Sequence, residues 1–461
     1  MSKHEYSNMR VPVEGNNPCI QRDEEKCIKC GACKSICKFS AGVYGKYSLE
    51  KTQDRAICIG CGQCTMVCPT DSLTEVMDYP KVKEALKDPD KIVIFQTSPS
   101  VRVALGEAFD LEAGTLVEGK MVAALKKLGA DYVFDTTFGA DLTIMEEASE
   151  LLKRIQTKQV TPQLTSCCPA WVKFVETFFP QYIPNLSTAK SPILMQGAMI
   201  KTYFAERAGI DPKRIVNVAV TPCTAKKEEI RRPEMNASAK YHHDISLRDM
   251  DYIITTRELA HFLKEEKIDF VHLEDASYDD LMARGTGAGL IFGNSGGVME
   301  AAIRTAYHMV TGEQPSEQLL TWNPVRGLDQ VKEAMITLAG VELRVAVINS
   351  TFQARKFLTT LEERNTHYDF IEVMACRGGC IAGGGTPKSE IPLPDEIKEA
   401  RMKRLYQTDT DEKLRNSYEN PDIIKLYEEF LGSPNSTLAK DLLHTNYQSK
   451  ANELGEAVVS S

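Results

Sequence analysis

Beyond Pro80 the chain alternates short β-branched runs with longer stretches whose apolar positions recur at helical spacing. "KIVIFQTSPSVRVALGEAF", "DYVFDTTFGADLTIMEEASELLKRI", "IVNVAVTPCTAKKEEI", "DYIITTRELAHFLKEE" and "RVAVINSTFQARKFLTTLEE" each read as strand, loop and helix. Units repeated in that order predict an α/β architecture of parallel sheets covered by helices. Ligands of such folds bind beyond the carboxyl ends of the strands, and five cysteines fall there. Cys167 and Cys168 follow "QLTS", Cys223 follows "VNVAVTP", and Cys376 and Cys380 follow "DFIEVMA". Three strand ends are therefore expected to converge on one buried pocket. Cysteines are common in cores, but these lie beside Ser166, Pro169, Thr221, Pro222, Lys226 and the glycine runs 378–379 and 383–385, which core thiols do not require. "GTGAGL" at 285–290 reads as loop packing rather than a nucleotide loop.

Composition narrows the class. The 461 residues are 43% hydrophobic and 26% charged, as in ordinary globular chains, and are enough for two or three domains. Net charge is −9 without a long Lys/Arg run, which speaks against a nucleic-acid or anionic-membrane partner and for a cationic partner face. The opening "MSKHEYSNMRVPVEG" has no apolar export core, and no stretch reaches the ~18 apolar residues of a membrane span, so a cytoplasmic protein is expected. In that compartment fourteen cysteines at short, regular spacings indicate metal rather than disulfides.

Cys27-x2-Cys30-x2-Cys33-x3-Cys37 recurs 31 residues later as Cys58-x2-Cys61-x2-Cys64-x3-Cys68, followed by Pro69. A CxxCxxC loop wraps three sulfurs around one 4Fe–4S cube, and the fourth cysteine of each run crosses to the other cube. This assigns Cys27, Cys30, Cys33 and Cys68 to one cluster, and Cys37, Cys58, Cys61 and Cys64 to a second. Gly31, Gly60 and Gly62 let the backbone bend close to sulfur. Structural zinc would use four ligands in separated pairs, which this spacing is not. The segment resembles a bacterial two-cluster ferredoxin, an electron wire with no chemistry of its own. Cys19 lies outside both runs and reads as a buried thiol.

"TSCCPAW" (165–171), "TPCTAKKEE" (221–229) and "EVMACRGGCIAGGG" (372–385) resemble the three signature motifs of the iron-only (FeFe) hydrogenases. "RNSYENPDIIKLYEEFLGSP" and "LLHTNY" resemble that family's small-subunit region, so the likeness runs from about residue 20 to 450. The resemblance implies a ferredoxin-like domain over 1–80, a two-lobed catalytic domain over 81–390 and a helical small-subunit-like segment over 391–461. It implies that Cys168, Cys223 and Cys376 ligate a third 4Fe–4S cube. Cys380 would join that cube to a two-iron unit carrying CO, cyanide and an azadithiolate, the whole being the H-cluster. Cys167 would then remain a thiol facing the dithiolate amine, at the inner end of a proton path through Glu147, Ser187 and Glu150, with Arg154. Glu147, Glu150 and Arg154 stand at i, i+3 and i+7, on one helix face. Lys226 would donate to a cyanide, Ser100 and the backbone near Pro222 would make similar contacts, Glu229 would orient the lysine, and Phe292 and Met374 would cover the pocket.

The implied activity is reversible reduction of protons to H2, with soluble ferredoxin as redox partner and dedicated maturation proteins installing the two-iron unit. The chain departs from the commonest prototype at Thr221 for Met, Ala170 for Gly and Ile193 for Gln, so catalytic bias and oxygen tolerance do not carry over; Thr221 and Ala170 together resemble a less-studied subgroup. Two alternatives share much of the motif set. Non-catalytic iron–sulfur assembly factors lack the proton thiol and the cyanide-binding lysine, and low-turnover sensory hydrogenases normally add a signalling domain.

Overall fold

The computed structural model describes residues 9–455 other than 284, 362, 364 and 365. Near the N-terminus β1 (Ile20–Arg22) carries the chain towards the first cysteine run and helix α1 (Ala32–Phe39). The second run leads into α2 (Gln63–Met66) and β2 (Leu73–Glu75), which pairs antiparallel with β1, Ile20 opposite Glu75. That pairing folds the two runs onto each other. Both helices start from a glycine in the left-handed region, Gly31 at φ 82° and Gly62 at φ 69°, where a Cβ would be strained.

Eight further strands are found among the described residues: β3 (Ile92–Thr97), β4 (Tyr132–Asp135), β5 (Gln163–Leu164), β6 (Ile215–Thr221), β7 (Tyr252–Thr255), β8 (Val331–Leu338), β9 (Val341–Asn349) and β10 (Phe370–Met374). The first sheet, ordered β4-β3-β6-β7, is parallel throughout. Its central strands are apolar on both faces: every residue of β6, "IVNVAVT", is buried, as helices on both sides require. The second sheet, β5-β10-β9-β8, is parallel except at its edge, where β8 and β9 form an antiparallel hairpin. The expectation of parallel sheets thus holds for one sheet and is modified at the edge of the other. Ala339 (φ 47°) and Gly340 (φ 82°), between partners Leu338 and Val341, supply the two left-handed residues of a tight hairpin turn.

Six helices frame the ends of these strands: α3 (Thr136–Gln156), α4 (Pro169–Phe178), α5 (Pro192–Met199), α6 (Gly297–Thr311), α7 (Asp395–Asp411) and α8 (Thr437–Leu443). Asp135 caps α3, its carboxylate accepting from Thr137 N at 3.0 Å. This helix lies between the two sheets' cores and buries Asp141, Glu146, Glu147, Glu150 and Arg154, an unusual charge load for an interior helix. Asp141 ties it to the helical C-terminal segment, accepting from Ser417 Oγ (2.8 Å), Asn420 Nδ2 (2.9 Å), and the Thr286 amide and hydroxyl (both 2.7 Å). The N-terminal segment docks by backbone approach. Thr224 Oγ1 donates to Gly60 O at 2.6 Å, and a Cβ on Gly384 would stand 2.4 Å from the Cys61 carbonyl oxygen. Among the described residues no helix is long and apolar enough to cross a membrane.

Candidate active site

The cysteines line three cavities. Cys27, Cys30, Cys33 and Cys68 surround one, and Cys37, Cys58, Cys61 and Cys64 another. The last cysteine of each run stands with the first three of the other, the crossed arrangement expected from the spacing, and four sulfurs around a void suit the donor set of a cubic iron–sulfur cluster. Cys30 of the first set is exposed, and it is the loop of the second set that touches the catalytic part, through Gly60 and Gly62 against Thr224 and Gly384. Cys19 lines neither. It is fully buried, with Sγ 3.9 Å from Glu228 Oε2, and packs so tightly on Gly60 that a Cβ there would come within 2.7 Å of its sulfur.

The third cavity opens at the carboxyl ends of strands from both sheets. Ser100 follows β3, Cys167 and Cys168 follow β5, Thr221 to Cys223 end and follow β6, and Met374 and Cys380 end and follow β10; all are in its wall, with Phe292, Ile193 and Lys226. It holds about 590 Å³ free of protein atoms, solvent at its mouth included. Its lining fits a cluster with small polar ligands. Four thiols converge on it, and Ser100 Oγ is buried there without a hydrogen-bond partner, a state that costs free energy unless a bound group supplies the missing bond. Cys376, the remaining expected ligand, is not in the wall. Its thiol lies in the electrostatic field of Cys61, Cys223, Cys168 and Cys380, and its Sγ accepts from Gln63 Nε2 at 3.1 Å.

"TSCCPAW" is held as a rigid corner. Trp171 Nε1 donates to Thr165 O (3.0 Å), Thr165 Oγ1 accepts from Val373 N (3.2 Å), and Ser166 Oγ donates to Ala189 O (2.7 Å). Cys168 is the N-cap of α4 with Pro169 at its first turn, where a proline is pre-organised for the helix. Both thiols are free. Cys168 touches the core beneath α4 as well as that beside α3, whereas Cys167 packs only against the α3 side. Ala170 is buried in the first turn of α4, and Ile193 packs among Leu194, Ala219 and Met250 where the prototype has a polar side chain.

Lys226 Nζ pairs with Glu229 (2.8 Å) and donates to Cys167 O (3.1 Å), which leaves one of its three protons for the cavity. Burial pulls its pKa down, but Glu229 and Cys223 outweigh that and raise it, so the ammonium stays charged. Glu229 is in turn fixed by Ser191 Oγ at 3.1 Å, as an orienting partner should be. Pro222 has no N–H and its carbonyl accepts from Gly385 N (2.7 Å), so any backbone donor to a cavity ligand must come from its neighbours.

Glu147 is completely buried, and neither carboxylate oxygen makes a hydrogen bond of good geometry, although the Ser187 hydroxyl is close enough to favour its charged form slightly. Burial, with Glu150 and Glu372 close by, pushes its pKa well above the usual carboxylate range, so it is a neutral acid. Cys167 lies in its field, and burial likewise keeps that thiol protonated. Ser187 Oγ donates to Glu150 Oε2 at 2.8 Å. Arg154 differs from a carrier: Nε (3.0 Å) and Nη2 (2.6 Å) clamp Glu150, and its other protons go to the carbonyls of Val160, Pro184, Asn185 and Leu186. A guanidinium that does not deprotonate holds the acid in place rather than relaying protons.

Gln63 went unnoticed in the sequence. It lies between Cys61 and Cys64 and reaches both Cys376 and the Ala382 carbonyl (3.0 Å). A glutamine inside a CxxC loop carries no local signal of such a contact.

Known proteins agree with this geometry. The family described as "Iron only hydrogenase large subunit, C-terminal domain" matches residues 91–384, "Iron hydrogenase small subunit" matches 395–450, and "4Fe-4S binding domain" matches 20–41 and 52–74. The HndD subunit of the NADP-reducing hydrogenase of Solidesulfovibrio fructosivorans is 45% identical over 463 aligned residues, covering 96% of this chain and 76% of that one. Iron hydrogenase 1 of Clostridium pasteurianum is 41% identical, covering 95% and 77%. A solved structure of a HydA1 FeFe-hydrogenase variant from Chlamydomonas reinhardtii superimposes with a TM-score of 0.71 at 39% identity, over 81% of this chain and 99% of that one.

Proposed function

The chain belongs to the iron-only (FeFe) hydrogenase family, and from that membership we propose that it interconverts protons and H2, exchanging electrons with a soluble ferredoxin. The observation that carries the reading is the cavity at the strand ends. It gathers Cys168, Cys223 and Cys380 beside a further free thiol, Cys167, which is backed by the buried, unpaired acid Glu147. An iron–sulfur assembly factor has no use for a protonated thiol and a charged lysine at such a cavity.

Cys168, Cys223, Cys376 and Cys380 hold the H-cluster, which when bound supplies the electrons and the iron at which protons are reduced. The two ferredoxin-type sites, Cys27, Cys30, Cys33 and Cys68 outside and Cys37, Cys58, Cys61 and Cys64 inside, hold the clusters that connect it to the carrier. Lys226, oriented by Glu229, and Ser100 donate to the anionic and polar ligands of the two-iron unit, a charge-assisted contact in the lysine's case. Phe292, Met374 and Ile193 exclude water. Protons reach Cys167 Sγ from Glu147; Ser187, whose hydroxyl donates to Glu150 and lies close to Glu147, links the two acids, and Arg154 keeps Glu150 in position. Dedicated maturation proteins install the two-iron unit.

Infrared spectroscopy of anaerobically matured protein tests this: CO and cyanide stretching bands together with H2 turnover are expected. Cubes alone after full maturation would return the chain to the assembly-factor reading. Cys167→Ala should keep the bands and lose nearly all turnover. Because HndD is named as part of an NADP-reducing enzyme, turnover with reduced ferredoxin should be compared with NADPH; activity with NADPH alone would replace ferredoxin as the carrier.

A further inference from the structure

The ends of β3 and β6 bring two hydroxyls side by side, Ser98 and Thr221, and both stand in the wall of the third cavity. We propose that this pair is a further hydrogen-bonding edge for the two-iron unit, donating to its CO or cyanide ligands in addition to Lys226 and Ser100. The proposal rests on the hydrogenase reading and deepens it by naming residues of this chain that hold the same unit.

The strand register fixes the pairing. Gln96 lies beside Ala219 and Thr97 beside Val220, and Ser98 N donates to Val220 O at 2.9 Å, so the next pair along is Ser98 with Thr221. Alternation fixes the direction. Val93, Phe95, Val218 and Val220 pack into one core, on one face of the sheet. Gln96 and Ala219 point the other way: Gln96 Nε2 donates to Ile193 O at 3.3 Å, and Ala219 packs with Ile193 at the start of α5. Ser98 and Thr221, each two residues further on, share that second face. The backbone of Ser98 is extended, at φ −69° and ψ 149°, so the alternation carries through it.

Neither hydroxyl is used by the protein. Ser98 precedes the short helical turn that Pro99 opens without a capping bond to it, and no side-chain hydrogen bond of Ser98 or Thr221 is found among the described residues. Thr136, the remaining hydroxyl in the wall besides Ser100, is spent on Gln96 Oε1 at 3.3 Å. Ser98 and Thr221 each carry one donor proton and are 7% and 2% exposed, in surroundings where an unmade bond costs free energy and a bound acceptor restores it. The wall is divided to match. Cys167, Cys168 and Cys380 stand at strand ends of the second sheet, whereas the donors Ser98, Ser100, Thr221 and Lys226 follow or end strands of the first, which adds one thiol, Cys223. Where Ile193 leaves α5 apolar, the strand ends supply polar contacts instead. Hydrogen bonds to the ligands of a metal draw charge away from it, so the pair favours the reduced iron.

The test is infrared spectroscopy of the fully matured enzyme carrying Thr221→Val, Ser98→Ala, both together, or Thr221→Ser. The double variant should keep the iron content and cube signals of wild type and displace a CO or cyanide band beyond its linewidth. In a redox titration its bands should interconvert at a more negative potential, because the reduced iron has lost two donors. Carbonyl and cyanide stretches occupy separate regions of the spectrum, so the displaced band identifies the ligand that is bonded. Thr221→Ser keeps the hydroxyl and should leave the bands at their wild-type positions. If the double variant takes up no two-iron unit, the single variants carry the same comparison. Bands that superimpose on those of wild type, or a displacement in Thr221→Ser as large as in Thr221→Val, would overturn this proposal alone. A wild-type enzyme without CO and cyanide bands would overturn the hydrogenase reading and the proposal with it.

Discussion

The side chain of Gln63 donates from Nε2 to Cys376 Sγ at 3.1 Å, joining the loop that carries Cys61 and Cys64 to a sulfur proposed to ligate the catalytic cube. A hydrogen bond to a cluster sulfur favours the reduced, more negative cluster, because it stabilises the added charge. Gln63→Leu removes the donor and should lower the potential of the catalytic cube by tens of millivolts, on the order of 1 kcal/mol for one electron. A redox titration followed by electron paramagnetic resonance reads the shift directly, and a potential unchanged in Gln63→Leu would show that the contact has no electronic role.

Glu147 places function and stability in opposition. A buried carboxyl whose oxygens make no hydrogen bond of good geometry costs free energy, so Glu147→Leu should unfold no earlier than wild type, and later by about 1 kcal/mol if the pocket tolerates the shape. The same change should reduce H2 turnover by about a hundredfold or more if the proposed path holds, because Cys167 would lose its proton source. The raised pKa fixes the pH dependence: the folded state holds the proton more tightly than the unfolded chain. Glu147 therefore adds an ionisation penalty that grows as pH climbs above the ordinary carboxylate value and is absent below it, where only the cost of burying the neutral acid remains. Thermal melts of variant and wild type should accordingly diverge with rising pH.

The metal-binding part of the molecule was legible because its signals are local. Three sulfurs of each ferredoxin-type site lie within seven residues, and the crossing of Cys37 and Cys68 is a consequence of loop geometry. The split of roles between Cys167 and Cys168 is implied by motif resemblance alone; what the structure adds is the corner that holds both, built by Trp171, Thr165 and Val373 through contacts that span two strands. Gln63 was out of reach for a physical reason: its contact joins residues 313 positions apart, and nothing near it marks it. The antiparallel β8 edge was missed for another. Its residues "VKEAMITL" alternate weakly between buried and exposed, as a half-covered edge strand does, and the turn is Ala-Gly rather than a strong Asn-Gly signal.

Docking of the N-terminal segment should be sensitive to a single methyl group. At Gly384 an added Cβ would meet Cys61 O at 2.4 Å and Gly62 Cα at 2.6 Å, both main-chain atoms that cannot swing away. Gly384→Ala should therefore cost about 1–3 kcal/mol of overpacking and lift the inner cluster loop off the catalytic sheets. H2 evolution driven by ferredoxin should fall more than evolution driven by a small dye that reaches the catalytic centre by itself. Equal losses with both donors would mean that the loop adjusts without disturbing the electron path.

Asp141 offers a pH test far from the metal. Four donors converge on it, yet burial outweighs them and pushes its pKa from the ordinary 3.8 up to about 6. The folded state thus binds this proton more tightly than the unfolded chain. The associated stabilisation is complete below about pH 4 and is lost as pH rises through about 6, a change on the order of 2–3 kcal/mol. Asp141→Asn cannot titrate, and its amide would face the Thr286 donors, so it should be less stable than wild type at every pH. Its deficit should nevertheless shrink between pH 4 and 6, because only wild type loses stability across that interval. Denaturant melts at several pH values measure the difference directly; a deficit constant with pH would show that Asp141 is ionised throughout and that its four donors, not its burial, set its charge.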